Sequence, residues 1–331
     1  MDNEEGTGML TIELSAPVDN LCDYTFDFCW HSHRLDPDAV IPHQDETKHT
    51  YRKLVDDLKR GAEICIKGDV GERFAQAMGA DIRHLGGTGD IGTAGRIFVD
   101  GNVGREAGMG MVAGSLYISG QVEHPLGNII EVHSDVNRYR KFVSITDLLC
   151  NHLDELPVSN SLDAENTRLV LNDGILRGTV GARCDCPCQM VVNGNAYNGT
   201  GLLMQQGTIT ITGNGGMNTG AHLNGGTVVV RGTAGEFAGA YMKRGVLLVG
   251  DASGHVGADM ESGVIYSKKK ITTSPPAEKA RITGADMSLI RKLTDTGRLE
   301  SIRYSKYEVG ESGKYVTVRM RDGSLVKRRV D

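Results

Sequence analysis

Aromatic residues, proline and long apolar runs are all scarce in this chain of 331 residues. The sequence holds 17 residues of Phe, Trp and Tyr and eight of Pro, and no apolar stretch approaches the roughly 18 residues that a membrane-spanning helix needs. The acidic amino terminus, MDNEEGTGML, lacks the basic and then apolar order of a secretory signal. A formal charge of -6 argues against nucleic acid or an anionic membrane as the main partner. We therefore expect a cytoplasmic protein that binds neither.

Cysteine occurs in an odd number, in a chain that shows no secretory signal. Disulfide frameworks belong mostly to short secreted domains, so we do not expect one here. The seven cysteines are Cys22, Cys29, Cys65, Cys150, Cys184, Cys186 and Cys188.

Glycine is abundant and periodic. Its 44 residues make up about 13% of the chain, nearly twice the usual share of about 7%, and no strict Gly-X-Y run points to collagen. In the second half the glycines recur every five to seven residues, and three successive steps sum to 18 or 19. A repeat of this length indicates a solenoid. The two clearest series are Gly207, Gly226, Gly245, Gly263 and Gly213, Gly232, Gly250.

Apolar residues repeat with the glycines, which predicts a parallel β-helix with coils of about 19 residues. Residues two apart on a strand share a face, so two of the columns should line the interior together. Glycine should mark the corners, where a positive φ or a close backbone approach excludes a side chain. The columns are Met190, Ile209, Val228, Leu247, Ile265; Val192, Ile211, Val230, Val249; and Met204, Leu223, Met242, Met260.

The same unit recurs earlier in the chain, although the stretch DIRHLGGTGDIGTAG interrupts its register. Three glycine pairs there are each 19 residues apart, and apolar pairs precede the corners. The glycine pairs are Gly95/Gly114, Gly101/Gly120 and Gly108/Gly127; the apolar pairs are Ile64/Ile66, Ile97/Val99 and Leu116/Ile118, with Met78 and Met111 at the position of Leu223.

Helices and a hairpin are expected outside the repeats. Ser144-x-x-Asp147 and Thr283-x-x-Asp286 are capping boxes that open helices, the second of which should end at Gly297. Asp322-Gly323 is typical of a hairpin turn. The predicted organisation is an amino-terminal cap (1–58), a first β-helix block (59–132), a helical insertion (133–167), a second block (168–272), and a carboxy-terminal helix with a hairpin (273–331).

One stretch resembles a known family. GNGGMNTGAHLNGGTVVVRGTAGEFAGAYMKRGVLLVGDASGHVGADMESGVIY is similar to the GXGXG-motif β-helix family, which includes the carboxy-terminal domain of the glutamate synthase large subunit and the β-helical subunit of formylmethanofuran dehydrogenase. The resemblance is strong over roughly 188–297 and weaker over 60–132. It implies an all-β fold, a right-handed parallel β-helix, for both blocks.

The resemblance also implies a role. In both branches the β-helix is a scaffold, while flavin, iron–sulfur and molybdopterin chemistry is carried by other domains or subunits. The expected function is thus a non-catalytic structural subunit of a multi-subunit oxidoreductase complex that binds no cofactor itself. The column Val191, Thr210, Val229, Leu248, Tyr266 supports partners modestly, because it should point outward and is largely apolar. A partner or the chain's own flanks could cover it.

Cys184-Asp-Cys186-Pro-Cys188 is the sharpest local feature. On an extended strand these three thiols would share one face within a few ångströms, and soft ligands so placed could hold zinc or an iron–sulfur cluster. The spacing departs from the two-residue gaps usual in such sites, and no fourth ligand stands out. Since Cys188 precedes Gly207 by one repeat, it could instead be a small corner residue.

The amino-terminal segment is rich in cysteine and histidine, which also bind zinc. Their spacings match no zinc module, and polar cap residues are the plainer interpretation. The residues concerned are Cys22, Cys29, His31, His33, His43 and His49.

Two enzyme interpretations have weaker support. GDIGTAG, GNVGREAG and GNGGMNTG resemble phosphate-binding loops, but such loops open a helix, whereas these runs should lead into strands. His222 and His255 lie near corners and could serve as general bases in a left-handed β-helix acyltransferase. That fold needs regular 18-residue coils, and most steps here total 19.

Overall fold

The computed structural model describes residues 9–26, 36–83, 87–163, 165 and 167–310, and the backbone of strands at 315–319 and 325–329. The chain forms two compact units, Met1–Ala182 and Arg183–Asp331. Each is mostly β and is built as a solenoid of parallel rungs.

The first unit stacks four parallel rungs within its described residues, followed by an antiparallel ending. β1 pairs with β3, β3 with β4, and β4 with β5, all in parallel. β7 then pairs antiparallel with β5 and with β6. The elements are β1 (Leu10–Leu14), β2 (Gln44–Asp45), α1 (Tyr51–Lys59), β3 (Glu63–Lys67), β4 (Arg96–Asp100), β5 (Ser115–Ile118), β6 (Ile129–Val132), β7 (Arg140–Ser144), α2 (Ile145–Cys150), β8 (Ser161–Leu162) and β9 (Arg168–Leu171).

The predicted inward residues of this unit are correct, and the structure adds one rung to them. The pairs in β3, β4 and β5, together with Met78 and Met111, are fully buried. β1 lies in the segment expected to be a cap, yet Ile12 pairs with Ile66 and is equally buried. Ile64 pairs with Ile97, 33 residues later, so one coil is enlarged by a loop. Ala80 and Ile82 of that loop form a small apolar cluster with Val112 of the next coil.

The helices of this unit differ from the expectation. α1 is an addition to the predicted elements, although Thr50 caps it by accepting from the Lys53 amide and Tyr51, Leu54 and Leu58 form its buried face. Apolar residues at such spacing behind a threonine are a recognisable helix start. The helix capped by Ser144 does form, but it ends after six residues. The rest of the expected helical insertion includes the strands β7 and β8.

The second unit stacks five parallel rungs in the part of the chain described. β10 to β14 pair in sequence order, and β16 pairs antiparallel with both β14 and β15. β17 and β18 form an antiparallel pair whose connecting residues, including Asp322-Gly323, lie outside the described residues. The elements are β10 (Gln189–Val192), β11 (Thr208–Ile211), β12 (Asn224–Ala234), β13 (Arg244–Ala252), β14 (Val264–Ser267), β15 (Ala277–Ala280), α3 (Gly284–Thr294), α4 (Arg298–Ser301), β16 (Ser305–Val309), β17 (Tyr315–Arg319) and β18 (Leu325–Arg329).

The strand register confirms the predicted columns residue by residue. Met190 is paired with Ile209, Ile209 with Val228, and the series continues to Ile265. Every member of the two inward columns is at most 4% exposed. The third column, from Met204 to Met260, is buried as well. The core of this unit is therefore a stack of aliphatic side chains inside the coils.

Glycine holds the corners for two different reasons. Gly245 has φ +98°, and a Cβ there would lie 2.8 Å from the carbonyl oxygens of Gly225 and Gly226. Gly250 has no positive φ, but a Cβ would collide with the carbonyl oxygen of Arg231 on the previous coil. Glycine is favoured at position 245 because the backbone is left-handed there, and at position 250 because the neighbouring coil leaves no space for a side chain.

The carboxy-terminal helix begins as predicted and ends earlier. Thr283 and Asp286 form the complete capping box of α3. The helix ends at Asp295, which adopts the left-handed conformation with φ 51°. Gly297, the predicted end, is instead the N-cap of α4.

Replacing Gly245 by alanine should destabilise the second unit by about 1–3 kcal/mol, because alanine is strained at this φ and its Cβ meets two carbonyl oxygens. Urea unfolding followed by circular dichroism measures the change. Gly254→Ala is the matched control, since its Cβ would meet nothing within 4 Å. Equal stability of the two variants would contradict this account of the corners.

Candidate functional site

Three cysteine sulfurs converge at the start of the second unit. The Sγ atom of Cys184 lies 3.4 Å from that of Cys188 and 3.7 Å from that of Cys186. Cys184 and Cys188 are buried and Cys186 is half-buried. The Cys184 sulfur thus lies close to each of the other two sulfurs, as the spacing in the sequence predicts.

The backbone that brings them together is a bend and not an extended strand. The segment precedes β10, and the Cys188 amide donates to the Cys186 carbonyl oxygen at 2.8 Å. Pro187 between them fixes its own φ and has no amide to donate, which suits a tight turn better than a strand. The predicted extended strand is therefore wrong as local structure, although the side-chain grouping is correct.

The two buried thiols share a hydrogen bond. The hydrogen bond between the two sulfurs lowers the pKa of Cys184, and together with burial it raises the pKa of Cys188. Cys186 is disulfide-bonded in the structure, a bond that the expectation of no disulfide framework did not include. Within this segment, Cys184 is the sulfur that forms a thiolate most readily.

Cys188 also serves as a corner residue. Its carbonyl accepts from the Thr208 amide at 2.8 Å, and a Cβ on Gly207 would lie 3.3 Å from its sulfur. The interpretation of Cys188 as a small corner residue is thus confirmed. A corner role and a ligand role are compatible, because the first uses the backbone and the second the sulfur.

The amino-terminal cysteine and histidine residues do not form one site among those described. Cys22 belongs to the apolar core, where burial raises the pKa of its thiol. His43 is exposed, and its carbonyl accepts from Ser15. His49 contributes its carbonyl oxygen to Gln44. Cys29, His31 and His33 lie outside the described residues.

The glycine runs lead into strands, as expected. GDIGTAG runs directly into β4, and GNGGMNTG precedes β12 by a few residues. A phosphate loop requires a helix N-terminus at this point. The described residues after these two runs form no helix before the next strand.

The two candidate general bases are stacked on aromatic rings. His222 lies on Tyr241 with ring centroids 4.8 Å apart, and His255 lies on Phe237 at 4.9 Å. Burial, together with the charge of Lys243, lowers the pKa of His222. Nδ1 of His255 lies 3.3 Å from the Ser274 hydroxyl. The sequence did not reveal this stacking, which repeats along the solenoid axis.

The first unit has a small pocket that the sequence did not indicate. Asp81 in its wall already accepts from the amide and hydroxyl of Thr88 at 2.7 and 3.0 Å. The ammonium of Lys59 lies over the ring of Tyr24 at 5.7 Å. The two charged side chains that line the pocket, Asp81 and Lys59, thus already interact with neighbouring protein groups. The lining residues are Tyr24, Lys59, Gly79, Ala80, Asp81, Gly92 and Thr93.

The outward apolar column is covered in part by the chain itself. Val229, Leu248 and Tyr266 form a buried cluster with Ile290 of α3. The guanidinium of Arg231 donates to the carbonyl oxygen of Thr294 at 2.6 Å, which fixes the end of that helix on β12. The remaining members of the column, Val191 and Thr210, are half-buried and lie outside this cluster. We call these two residues, Val191 and Thr210, the outer strip; they are the part of the column outside the cluster that contains Ile290 of α3.

Asp286 joins the helix to the outward column. It accepts from the Tyr266 hydroxyl at 2.5 Å and from the amide and hydroxyl of Thr283, both at 2.7 Å. Burial alone would raise the pKa of Asp286, but the hydrogen bonds from Tyr266 and Thr283 and the charge of Lys306 outweigh it, so the pKa is lowered.

Every helix in the described ranges is too short or too polar to cross a membrane.

Comparisons with known proteins add little to this geometry. No protein-family profile matches the chain. An uncharacterized protein of Methanothermobacter thermautotrophicus is 43% identical over 205 residues, which is 61% of this chain and 65% of that protein. The chain thus spans less than two thirds of this relative.

One solved structure is distantly similar. It is the crystal structure of the formyltransferase/hydrolase complex (FhcABCD) from Methylorubrum extorquens in complex with methylofuran. The alignment covers 88% of this chain and 90% of the matched chain, at 18% identity and a TM-score of 0.29. Because this score is low, the likeness carries no argument about function.

Replacing Asp286 by asparagine should cost about 1–2 kcal/mol of stability at neutral pH, since the helix cap and the bond to Tyr266 are weakened. A carboxyl with a lowered pKa stabilises the fold above its unfolded pKa, and this stabilisation is lost as the pH falls through its folded pKa. The difference from wild type should therefore shrink below about pH 4. Urea unfolding at several pH values measures it.

Asp295→Asn is the control for this series. Asp295 is exposed, and asparagine tolerates its left-handed conformation. This variant should match wild type at every pH. A pH-independent loss in Asp286→Asn would mean that the carboxylate charge contributes nothing.

Proposed function

We propose that this chain is a non-catalytic scaffold subunit of a multi-subunit oxidoreductase complex. The observation that carries the proposal is the use of polar corner side chains. They bond to the backbone of the neighbouring coil and so hold the solenoid together, whereas catalysis needs such groups to converge on a substrate.

These corner bonds recur in both units. In the second, the side-chain oxygen of Asn195 accepts from the Asn214 amide at 2.8 Å, and that of Asn214 accepts from the Thr233 amide at 2.9 Å. In the first, Asp69 bonds the Asn102 amide at 2.7 Å and Asn102 bonds the next coil. The polar corners are therefore structural in each unit.

The redox class of the complex is suggested by the sequence resemblance alone. Under the proposal, flavin, iron–sulfur and molybdopterin groups are bound by partner subunits and not by this chain. The outer strip at Val191 and Thr210 is the proposed contact for such a partner, because it continues a column whose other half is already covered. Half-buried positions beside an apolar cluster are suited to a protein interface.

Native purification with a tag on this chain, followed by mass spectrometry and absorbance spectroscopy, tests the proposal. We expect a stoichiometric complex with subunits that carry a redox cofactor. Recovery of this chain as a well-behaved monomer would contradict a scaffold role. A lone homotrimer that consumes acyl-CoA would instead favour the acyltransferase.

The double variant Val191→Lys/Thr210→Lys tests the contact surface. It should release the partners, since two ammonium groups would be buried at an apolar contact, while the circular dichroism spectrum stays unchanged. Ser253→Lys, at an exposed position elsewhere on the coil, is the control and should retain the partners. Full retention by the double variant would exclude the outer strip as the interface.

A further inference from the structure

We propose that Cys184, Cys186 and Cys188, when all three are reduced, bind a single zinc ion. The proposal concerns this chain alone and does not depend on the scaffold role. It rests on the positions of the three sulfur atoms and on the backbone that holds them.

The sulfur separations match those of ligands on one tetrahedral ion. A zinc–sulfur bond of about 2.3 Å places two sulfurs of a tetrahedron about 3.8 Å apart. The observed separations from Cys184 are 3.7 Å to Cys186 and 3.4 Å to Cys188. The two separations from Cys184 therefore need little change when an ion is bound, and side-chain rotation of Cys186 and Cys188 would complete the site.

The neighbouring coil fixes the backbone of the segment. The Cys184 carbonyl accepts from the amides of Gln205 and Gln206 at 2.8 and 3.0 Å, and the Cys188 carbonyl accepts from Thr208. The turn between Cys186 and Cys188 is closed by its own hydrogen bond. Ligands held this way lose little conformational freedom on binding, which favours affinity.

The geometry favours one ion over an iron–sulfur cluster. In a cubane cluster each iron takes its own thiolate, so the cysteines stand further apart than ligands that share one ion. Because the Cys184 sulfur lies within 3.7 Å of the sulfurs of both Cys186 and Cys188, the arrangement suits a shared ion. The fourth position is left for water or another donor, and half-buried Cys186 marks the side from which solvent reaches the site.

Zinc binding here is coupled to redox state, because Cys186 is disulfide-bonded in the structure. A dithiol reductant supplies two electrons and two protons, which convert the disulfide of Cys186 to two thiols. The reductant itself is oxidised to a disulfide. Zinc then displaces one proton from each of the three thiols. Oxidation of the dithiol pair reverses the sequence and releases the ion.

Metal titration of the full-length protein tests the proposal. The chain is reduced with a dithiol, freed of that reagent under anaerobic conditions, and titrated with Zn²⁺ or with Co²⁺ as a spectroscopic probe. We expect one ion per chain, with thiolate-to-cobalt charge transfer and the visible bands of tetrahedral cobalt. Protein oxidised before titration should show neither.

Variants locate the ligands. Cys186→Ser should weaken Co²⁺ binding by at least about tenfold. Because the titration uses reduced protein, in which wild type also lacks the Cys186 disulfide, the fold of this variant should match that of reduced wild type. Cys65→Ser, which alters a cysteine of the first unit, is the control and should bind like wild type. Circular dichroism confirms that each variant is folded.

Three results would overturn the proposal. They are the absence of stoichiometric binding by reduced wild type, equal loss of binding in Cys186→Ser and Cys65→Ser, and iron with inorganic sulfide at this site after anaerobic purification. None of them bears on whether the chain assembles with partner subunits, so the two proposals fail separately.

Discussion

Parallel strand pairing is the interaction on which both units depend. Paired strands lie about 4.8 Å apart, and a parallel register places each residue directly above its equivalent on the previous coil. In the second unit this spacing stacks Met190, Ile209 and Val228 in one column. A coil that gained one residue on its strand would turn its inward residues outward. The corner glycines follow from the same constraint, because coils this close leave no room for a Cβ at the bends.

Stacking also determines where chemistry can occur in such a fold. Side chains inside the coils are packed on all sides, so reactive groups must lie at corners or on outer faces. Most polar corner groups bond to the next coil, as Asn214 does. The cysteine segment differs, because the sulfur of Cys184 lies beside those of Cys186 and Cys188 on the same coil. The polar corner groups thus connect neighbouring coils, whereas the contacts of the Cys184 sulfur with the other two lie within one coil.

The sequence predicts whatever repeats along the chain and little else. The columns of β10 to β14 were predictable because partners in space are 18 or 19 residues apart. β1 was not, since Leu10 pairs with Ile64 across the intervening elements β2 and α1. The grouping of Cys184, Cys186 and Cys188 was predictable from spacing, but the bend that produces it was not. Whether α3 or a partner covers Leu248 depends on the path of the chain after the last coil, which no local pattern encodes.

The antiparallel strand β16 has a consequence for how this unit could grow. By pairing with β14 through Ile265 and Tyr307, it reverses the chain direction at the end of the stack. A further parallel coil cannot follow, and the edge that would otherwise recruit another molecule is occupied. Duplication of a coil could lengthen the solenoid between β10 and β14, where each addition meets an identical surface. A coil added after β14 would have to displace β16, which is already hydrogen-bonded to β14. The number of coils can therefore vary only before β16 in the chain.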